Sequence, residues 1–221
     1  MSTNTVSSLF DRSLNKQYKG LVKVRIDLVN KSNYYTFSEP CKVSPFCHIE
    51  RSFNYNNYFT QNKLARRKII LETLYESIKE MCSNLDYDLD PFTRAYEEVK
   101  ELNFINKYIH KKLTFSQNRK HKAGIEIEIN EEVATISVLF TDKDEKPIQK
   151  VEILKTLPHF MFIYRVIHKG KWISTDEYQV SDKSGQINFI VNLNGDFVMA
   201  FKPKDKTEEE LRETVVAINI K

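Results

Sequence analysis

Residues 62–85 read NKLARRKIILETLYESIKEMCSNL, and residues 91–113 read PFTRAYEEVKELNFINKYIHKKL. Apolar side chains recur in both segments at helical spacing, which places them on one face of a helix. They are Leu71, Leu74, Ile78, Met81 and Leu85 in the first segment, and Phe92, Tyr96, Val99, Leu102, Ile109 and Leu113 in the second. Asp90 is predicted to cap the second helix, with Pro91 at its first position. Because the connecting loop is short, the two segments are predicted to form an antiparallel helical hairpin.

Strand-like alternation surrounds this hairpin on both sides. Before it, residues 20–30 (GLVKVRIDLVN) alternate apolar and polar, and shorter strands are predicted at residues 34–37 and 48–53. After it, strands are predicted at residues 124–130, 133–141, 148–156, 160–168, 171–179, 186–193 and 196–201, separated by turn signals such as Asn194-Gly195. The predicted fold class is therefore α+β, with an antiparallel helical hairpin packed on or beside an antiparallel β-meander.

The same patterns predict the domain organisation. Residues 1–15 are rich in Ser, Thr and Asn and are predicted to be a disordered tail. Residues 16–118 are predicted to form a mixed α/β module that contains the hairpin (62–85 and 91–113), and residues 122–221 the β-meander. A capping box at Thr207 and Glu210 predicts a short helix near residues 208–213, followed by a closing strand at residues 215–220. Residues 116–122 are the candidate boundary, and whether the two modules share one core is left open.

Composition is that of an ordinary globular protein. Of the 221 residues, 41% are hydrophobic and 29% charged, and the net charge of +4 is too small to indicate a partner by itself. No apolar run approaches the ~20 residues of a membrane span, so no membrane partner is expected. Three cysteines without a visible secretory signal favour a reducing compartment, and the expected location is cytoplasmic. Scarce Gly with frequent Asn, Lys and Ile is typical of a bacterial source.

Two groupings have the residue types of a metal site but not the spacing. Cys41, Cys47 and His48 lie close together, yet they lack the paired short spacing that zinc ligands show, and Cys82 falls beside an apolar stripe. The oxygens of Asp86, Asp88, Asp90 and Glu97 have a spacing that resembles an EF-hand calcium loop. Pro91 stands where that loop requires glycine, and it is better explained as the start of a helix. No metal and no cofactor are therefore predicted.

Catalytic signatures are missing from the sequence. It contains no Gly-x-Ser-x-Gly elbow, and its five glycines form no phosphate-binding loop. An enzyme with dispersed residues is left as one hypothesis, with His48, Glu50, Arg165 and His168 as the groups that a pocket would have to bring together. Arg165 lies inside the apolar run predicted as a central strand, where a structural ion pair is expected.

Cationic residues form two blocks. The first opens the first helix and includes Arg66, Arg67 and Lys68; the second, within residues 107–122, includes Lys111, Lys112, Arg119, Lys120 and Lys122. In the predicted hairpin both blocks come from the same end, near the rings of Tyr55 and Tyr58. These ten residues are the candidate binding residues, since cations suit phosphate or acidic surfaces and rings suit stacking.

Three functional hypotheses follow. The preferred one is a non-catalytic macromolecule-binding protein, most simply a bacterial protein–protein interaction protein or an immunity- or antitoxin-type inhibitor whose partner is a toxin or effector. The slightly basic charge counts against this hypothesis, because inhibitors of nucleases usually present acidic surface to a basic target; an inhibitor of this charge is expected to have a target that is acidic or is not a nuclease. The second hypothesis is a nucleic-acid-binding protein that uses the two basic blocks. The third is the dispersed enzyme.

Overall fold

Six helices and eleven strands form in the computed structural model, which describes residues 3–15, 23–39 and 46–219. The chain divides into two compact units, Met1–Ile105 and Asn106–Lys221, here named the N-terminal and the C-terminal unit. Helices and antiparallel sheets are both present, so the predicted α+β class is confirmed. Among the described residues, no helix has both the length and the apolar character that a membrane crossing requires.

The N-terminal unit combines helices with a three-stranded sheet. Its elements are α1 (Thr3–Asn15), β1 (Lys23–Val29), β2 (Tyr35–Ser38), β3 (Phe46–Ser52), α2 (Tyr55–Thr60), α3 (Lys63–Leu85) and α4 (Asp90–Glu101). The strand order is β1-β3-β2, in which β1 runs parallel and β2 antiparallel to β3. Helix α2 follows β3 directly, and the Asn54 side chain caps it by accepting a hydrogen bond from the Asn57 amide.

Helix α3 follows its prediction closely. The Asn62 side chain caps its start by accepting from the Ala65 amide at 2.9 Å, and Asp86 ends it in the left-handed conformation. Leu71, Ile78 and Met81, three members of the predicted stripe, are buried. The 3.6-residue period therefore identified both the length and the buried face of this helix.

Helix α4 completes the hairpin but is shorter than predicted. It begins with Asp90 and Pro91 in its first turn, and the Tyr96 ring stacks on that of Tyr75 in α3 with centroids 4.3 Å apart. The prediction of a helix through residue 113 is wrong, because α4 ends at Glu101. Asn103 and Phe104, with φ angles of 48° and 60°, turn the chain out of the helix.

Helix α1 occupies the segment predicted to be a disordered tail. Val6, Leu9 and Phe10 are buried in the core of the N-terminal unit, at the three- and four-residue spacing of one helix face. Helix α1 packs against both α3 and α4. The Ser/Thr/Asn composition of the segment hid this short apolar stripe. A helix of this length is marginal by itself, and α1 is stabilised by packing its apolar face against the hairpin.

The C-terminal unit is built from two four-stranded antiparallel sheets. Its elements are β4 (Asn106–Phe115), β5 (His121–Ile129), β6 (Ala134–Asp142), β7 (Pro147–Thr156), α5 (Phe160–Val166), β8 (Lys169–Trp172), β9 (Glu177–Ser181), β10 (Ile187–Asn192), β11 (Phe197–Phe201) and α6 (Glu208–Ile218). The sheets have the orders β4-β5-β6-β7 and β11-β10-β9-β8, so the antiparallel meander is confirmed. Of the predicted connector, residues 116–120 form the turn of the β4–β5 hairpin and residues 121–122 begin β5.

Two apolar segments of this unit were predicted as strands and are helices. Residues 160–168 contain α5, which buries Ile163 and Val166 and leaves Met161 exposed. Arg165 is also exposed on α5, so it needs no buried ion pair. Runs that are apolar on both faces fit a buried strand or a helix equally well, and here the His159 ring favours the helix by accepting from the Met161 amide at 3.1 Å.

Helix α6 also extends further than predicted. Its start has the expected capping box, with Thr207 and Glu210 accepting from each other's amides. It then continues to Ile218 and buries Val215 and Ile218, where a closing strand was predicted. The last residue of that predicted strand, residue 220, lies outside the described part of the chain.

The burial of α1 predicts that Leu9→Ala destabilises the N-terminal unit. Leu9 is 2% exposed, and truncation of a buried leucine costs about 2–5 kcal/mol. Leu64→Ala is the matched control, because Leu64 is 44% exposed on α3 and its loss should cost less than about 0.5 kcal/mol. Urea unfolding of both variants measures the difference. Equal free energies of unfolding would contradict a docked α1.

Candidate functional site

Arg66, in the first cationic block, has a structural partner. Its guanidinium donates to the carbonyls of Tyr58 and Phe59 at 3.2 and 2.5 Å, and it lies over both rings. These carbonyls belong to the end of α2, where a cation is favourable. The position of Arg66 at the start of α3 is therefore explained by the helix that precedes it. Arg67 is half-buried and Lys68 is exposed on the same helix.

The rings of Tyr55 and Tyr58 pack within the N-terminal unit. Tyr58 is buried, and the Tyr55 hydroxyl donates to the Leu28 carbonyl at 3.0 Å. Both rings contact Phe53, with centroids 4.9 and 5.3 Å away. This packing supports a structural role for the two tyrosines.

The second block lies in the C-terminal unit, on β4, the β4–β5 turn and the start of β5. The two blocks were predicted to meet because residues 107–113 were expected to end the second helix of the hairpin. Those residues form a strand of the other unit instead, so the hairpin does not join the two blocks.

Two lysines of this block are neutralised by ion pairs. Lys107 contacts the buried carboxylate of Glu126 at 3.1 Å, and Lys150 contacts it at 2.6 Å. Burial acts to raise the pKa of Glu126, but the two ammonium groups outweigh it and hold the pKa below its usual value. Lys122 pairs with Glu145 at 2.8 Å. Lys107 and Lys122 therefore support the sheet.

A bulge in β4 orients the next two lysines. His110 pairs with Ile125 and Thr114 with Ala123, so residues 111–113 lie opposite the single residue Gly124. Lys111 has a φ of 65°, a conformation that costs free energy for a non-glycine residue. A Cβ on Gly124 would lie 2.8 Å from Leu113 Cδ2, so the glycine makes room for the bulge.

The bulge holds Lys111 and leaves Lys112 exposed. The Lys111 ammonium donates to the His168 carbonyl at 2.7 Å, which ties the bulge to the segment before β8. The Lys112 side chain is exposed beside it. Bulges are frequent where a strand must redirect a side chain, and this one presents a cation at an edge of the sheet.

The turn after the bulge is organised by Ser116. Its buried hydroxyl donates to Asn118 Oδ1 at 2.9 Å and accepts from the His121 amide at 3.1 Å. Arg119 takes the left-handed position of this turn, with a φ of 57°, and Lys120 follows it. Both side chains are exposed at the tip of the hairpin.

An exposed aromatic ring completes the tip. Phe115 is 43% exposed, and its ring centroid lies 5.1 Å from the Arg119 guanidinium carbon and 4.8 Å from Lys122 Nζ. Cation–π attraction of this kind restrains both cations. The six residues that form this surface, here named the cationic hairpin, are Lys111, Lys112, Phe115, Arg119, Lys120 and Lys122.

Three cations of the cationic hairpin are available to a ligand. Lys112, Arg119 and Lys120 form no ion pair with any residue that the structure describes. Nearby, the β6–β7 turn carries Glu145, which already pairs with Lys122. The hairpin is thus a small cationic surface with an acidic border, suited to a local cluster of anions.

The proposed catalytic groups lie in different units. His48 Nε2 lies 2.7 Å from Asp27 Oδ2, and this hydrogen bond, with one from Arg25, lowers the pKa of Asp27. Ser38 is opposite His48 in the strand register, but no hydrogen bond joins their side chains among the described residues. Among the described residues, no nucleophile is hydrogen-bonded to this histidine–carboxylate pair in the way that a hydrolase relay requires.

The remaining candidates also lie in two different units. Glu50 accepts from the Tyr34 hydroxyl at 2.9 Å on the same sheet, which gives its carboxylate a structural role. Arg165 and His168 belong to the C-terminal unit, where the His168 backbone carbonyl accepts from Lys111 and the Arg165 side chain is exposed.

The cysteines and the acidic loop, the two candidate metal groupings of the sequence, each have their own local surroundings. Cys47 and Cys82 are free and buried; burial raises the pKa of both thiols, that of Cys82 to about 11. Cys41 lies outside the described residues. Asp88 accepts from the Asp90 amide at 2.9 Å, as at the start of a helix. Within the described part of the chain, no group of three or more His, Cys, Asp or Glu residues could hold a metal ion.

Comparisons with protein-family models, curated proteins and solved structures give no match to this chain. Phe115 and the bulge are the parts of the site that the sequence patterns missed. Gly124 was the available signal, because an isolated glycine inside an alternating strand often marks a bulge or a close approach. Phe115 had no such signal, since an exposed aromatic residue at a strand end is common.

The Glu126 ion pairs predict a pH-dependent stability. Glu126→Gln should lower the free energy of unfolding at pH 7 by about 1–2 kcal/mol, because two exposed lysines lose their partner. The folded pKa lies below the ordinary 4.5, so the wild-type contribution is present above pH 4.5 and is lost as pH falls through the folded pKa. Glu213→Gln, at an exposed position of α6 outside this ion-pair network, is the control. Thermal unfolding from pH 7 down to acid pH measures both; a deficit of Glu126→Gln that does not shrink as the pH falls below 4.5 contradicts the prediction.

Proposed function

We propose that this chain is a non-catalytic protein that binds another macromolecule, and that the cationic hairpin contacts an acidic surface of a partner protein. The observation that carries the proposal is the tip of the β4–β5 hairpin, where the exposed Phe115 ring holds Arg119 beside the unpaired Lys120. A restrained cation loses less side-chain entropy on binding than a free one. Restrained cations are therefore better suited to a specific contact with a partner than to a general role in keeping the protein soluble.

The arrangement of the ring supports a protein partner over a nucleic acid. Single-stranded nucleic acids are usually bound by an aromatic face on which a base stacks. The Phe115 ring already has two cations near its centroid, which compete with a base for that position. Glu145 at the border would also repel a continuous run of phosphates, whereas it can accompany a localised acidic cluster.

The specific form of the proposal is an immunity- or antitoxin-type inhibitor that acts on a toxin or effector in a bacterial cytoplasm. The positive hairpin suits a target with an acidic surface, and complementary charge mainly increases the rate and specificity of association. The buried, unpaired thiols of Cys47 and Cys82 support a reducing compartment.

Nucleic-acid binding is the second candidate, because phosphates are also anions. The bulge favours it, since Lys111 and Lys112 extend the cationic hairpin along the edge of β4. Binding of this kind would weaken with salt in proportion to the number of phosphates contacted.

Binding to a polyglutamate peptide and to oligothymidylate at low salt distinguishes the two candidates. The triple variant Lys112→Ala, Arg119→Ala and Lys120→Ala should weaken polyglutamate binding about tenfold, because three exposed ion pairs are lost. The matched control Lys171→Ala, Lys183→Ala and Lys206→Ala removes the same charge from exposed positions of the same unit and should bind like wild type.

Fluorescence anisotropy with labelled probes measures these affinities. Equal weakening in the two triple variants would mean that net charge alone acts, and it would contradict the hairpin as the site. Tighter binding of oligothymidylate than of polyglutamate would favour the nucleic-acid candidate instead. Phe115→Leu keeps an apolar side chain but removes the ring, so a smaller loss with this variant is expected.

A further inference from the structure

The outer strands of the two sheets in the C-terminal unit differ in charge. Outer strands β4, β7 and β8 all carry lysines, and β4 also has the bulge at residues 111–113. Lysines and bulges on an outer strand prevent pairing with another chain. Strand β11 reads FVMAF, has no charged residue and is regularly paired with β10 over its whole length. It is the one described outer strand of this unit without such protection.

The side chains of β11 are exposed on both faces. Phe197 is 41%, Val198 61% and Met199 37% exposed. Phe197 and Met199 lie beside the buried Val191 and Phe189 of β10, so the apolar face of the sheet continues onto these two exposed residues, while Arg212 of α6 lies over the Phe201 ring at the end of β11. A further strand beside β11 would extend this face.

The backbone of β11 also offers unused hydrogen-bonding groups. The Asn192 amide donates to the Asp196 carbonyl and the Lys202 amide donates to the Gln186 carbonyl, both at 2.8 Å, so Asp196 and Lys202 point toward β10. Successive residues of an antiparallel strand point to opposite sides. Phe197, Met199 and Phe201 therefore direct their amide and carbonyl groups away from β10.

The sequence of this edge is complementary to itself. Consider two copies of β11 paired antiparallel about Met199. Phe197 of each copy then lies opposite Phe201 of the other, and these residues carry the outward-pointing backbone groups. The same register places Asp196 opposite Lys202 at both ends of the pair, where opposite charges stabilise the contact. A parallel arrangement would instead place Asp196 against Asp196.

We propose that β11 pairs with β11 of a second copy of this chain and joins two four-stranded sheets into one eight-stranded sheet. The two-fold symmetric contact uses the same surface on both copies, so it closes at a dimer. The opposite edge, β8, carries Lys169 and Lys171, which oppose a second round of pairing. This dimer is independent of the cationic hairpin and of its ligand.

Sedimentation velocity and light scattering over a range of concentrations test the dimer. Wild type should show a mass of two chains that falls to one on dilution. Val198→Lys places a charge on the most exposed residue of β11 and should be monomeric at concentrations where wild type is dimeric. Val216→Lys makes the same change on α6, at a residue that is 73% exposed, and should remain dimeric. Circular dichroism confirms that both variants are folded.

A charge exchange identifies the occupant as a second copy. Asp196→Lys alone and Lys202→Asp alone each create two like-charge contacts and should raise the dissociation constant about tenfold. The double variant restores opposite charges at both ends and should recover dimerisation. A monomeric wild type, a dimer that survives Val198→Lys, an assembly larger than two, or a double variant without recovery would each overturn the proposal.

Discussion

The antiparallel pairing of β4 with β5 is the interaction on which the rest of the architecture depends. It takes residues 106–115 out of the helical hairpin and begins the first sheet of the C-terminal unit. The same pairing brings Lys107 to Glu126, and it presents Arg119 at a tight turn. The division of the chain at Ile105 and the position of the candidate site therefore have one physical origin.

Sequence periodicity correctly predicted the elements whose apolar pattern fits only one type of secondary structure. The stripe of α3 from Leu71 to Leu85 spans about four turns, and the alternation in β5 repeats Ile125, Ile127 and Ile129 without interruption. The capping box at Thr207 identified the start of α6 because its hydrogen bonds are local. Such features need little information from distant parts of the chain.

The errors occurred where distant partners decide between two local solutions. Ile109 and Leu113 continue the stripe of α4, yet the pairing of His110 with Ile125 makes this segment a strand. The apolar run of α5 fits a buried strand as well as a helix. Only the packing of the folded unit, which buries Ile163 on one side of the helix, distinguishes the two. The cations of the candidate site were recognised from sequence as one block, but their placement on a strand hairpin was not, because it depends on the pairing of β4 with β5.

The ambiguity of residues 106–113 has a consequence for synthesis of the protein. β5 follows β4 in the chain, so on the ribosome this segment is complete before its partner strand exists. During that interval Ile109 and Leu113 lack the strand with which β4 pairs. The native conformation of residues 106–113 therefore forms only after β5 has been synthesised, and the order of synthesis sets the order in which this sheet can assemble.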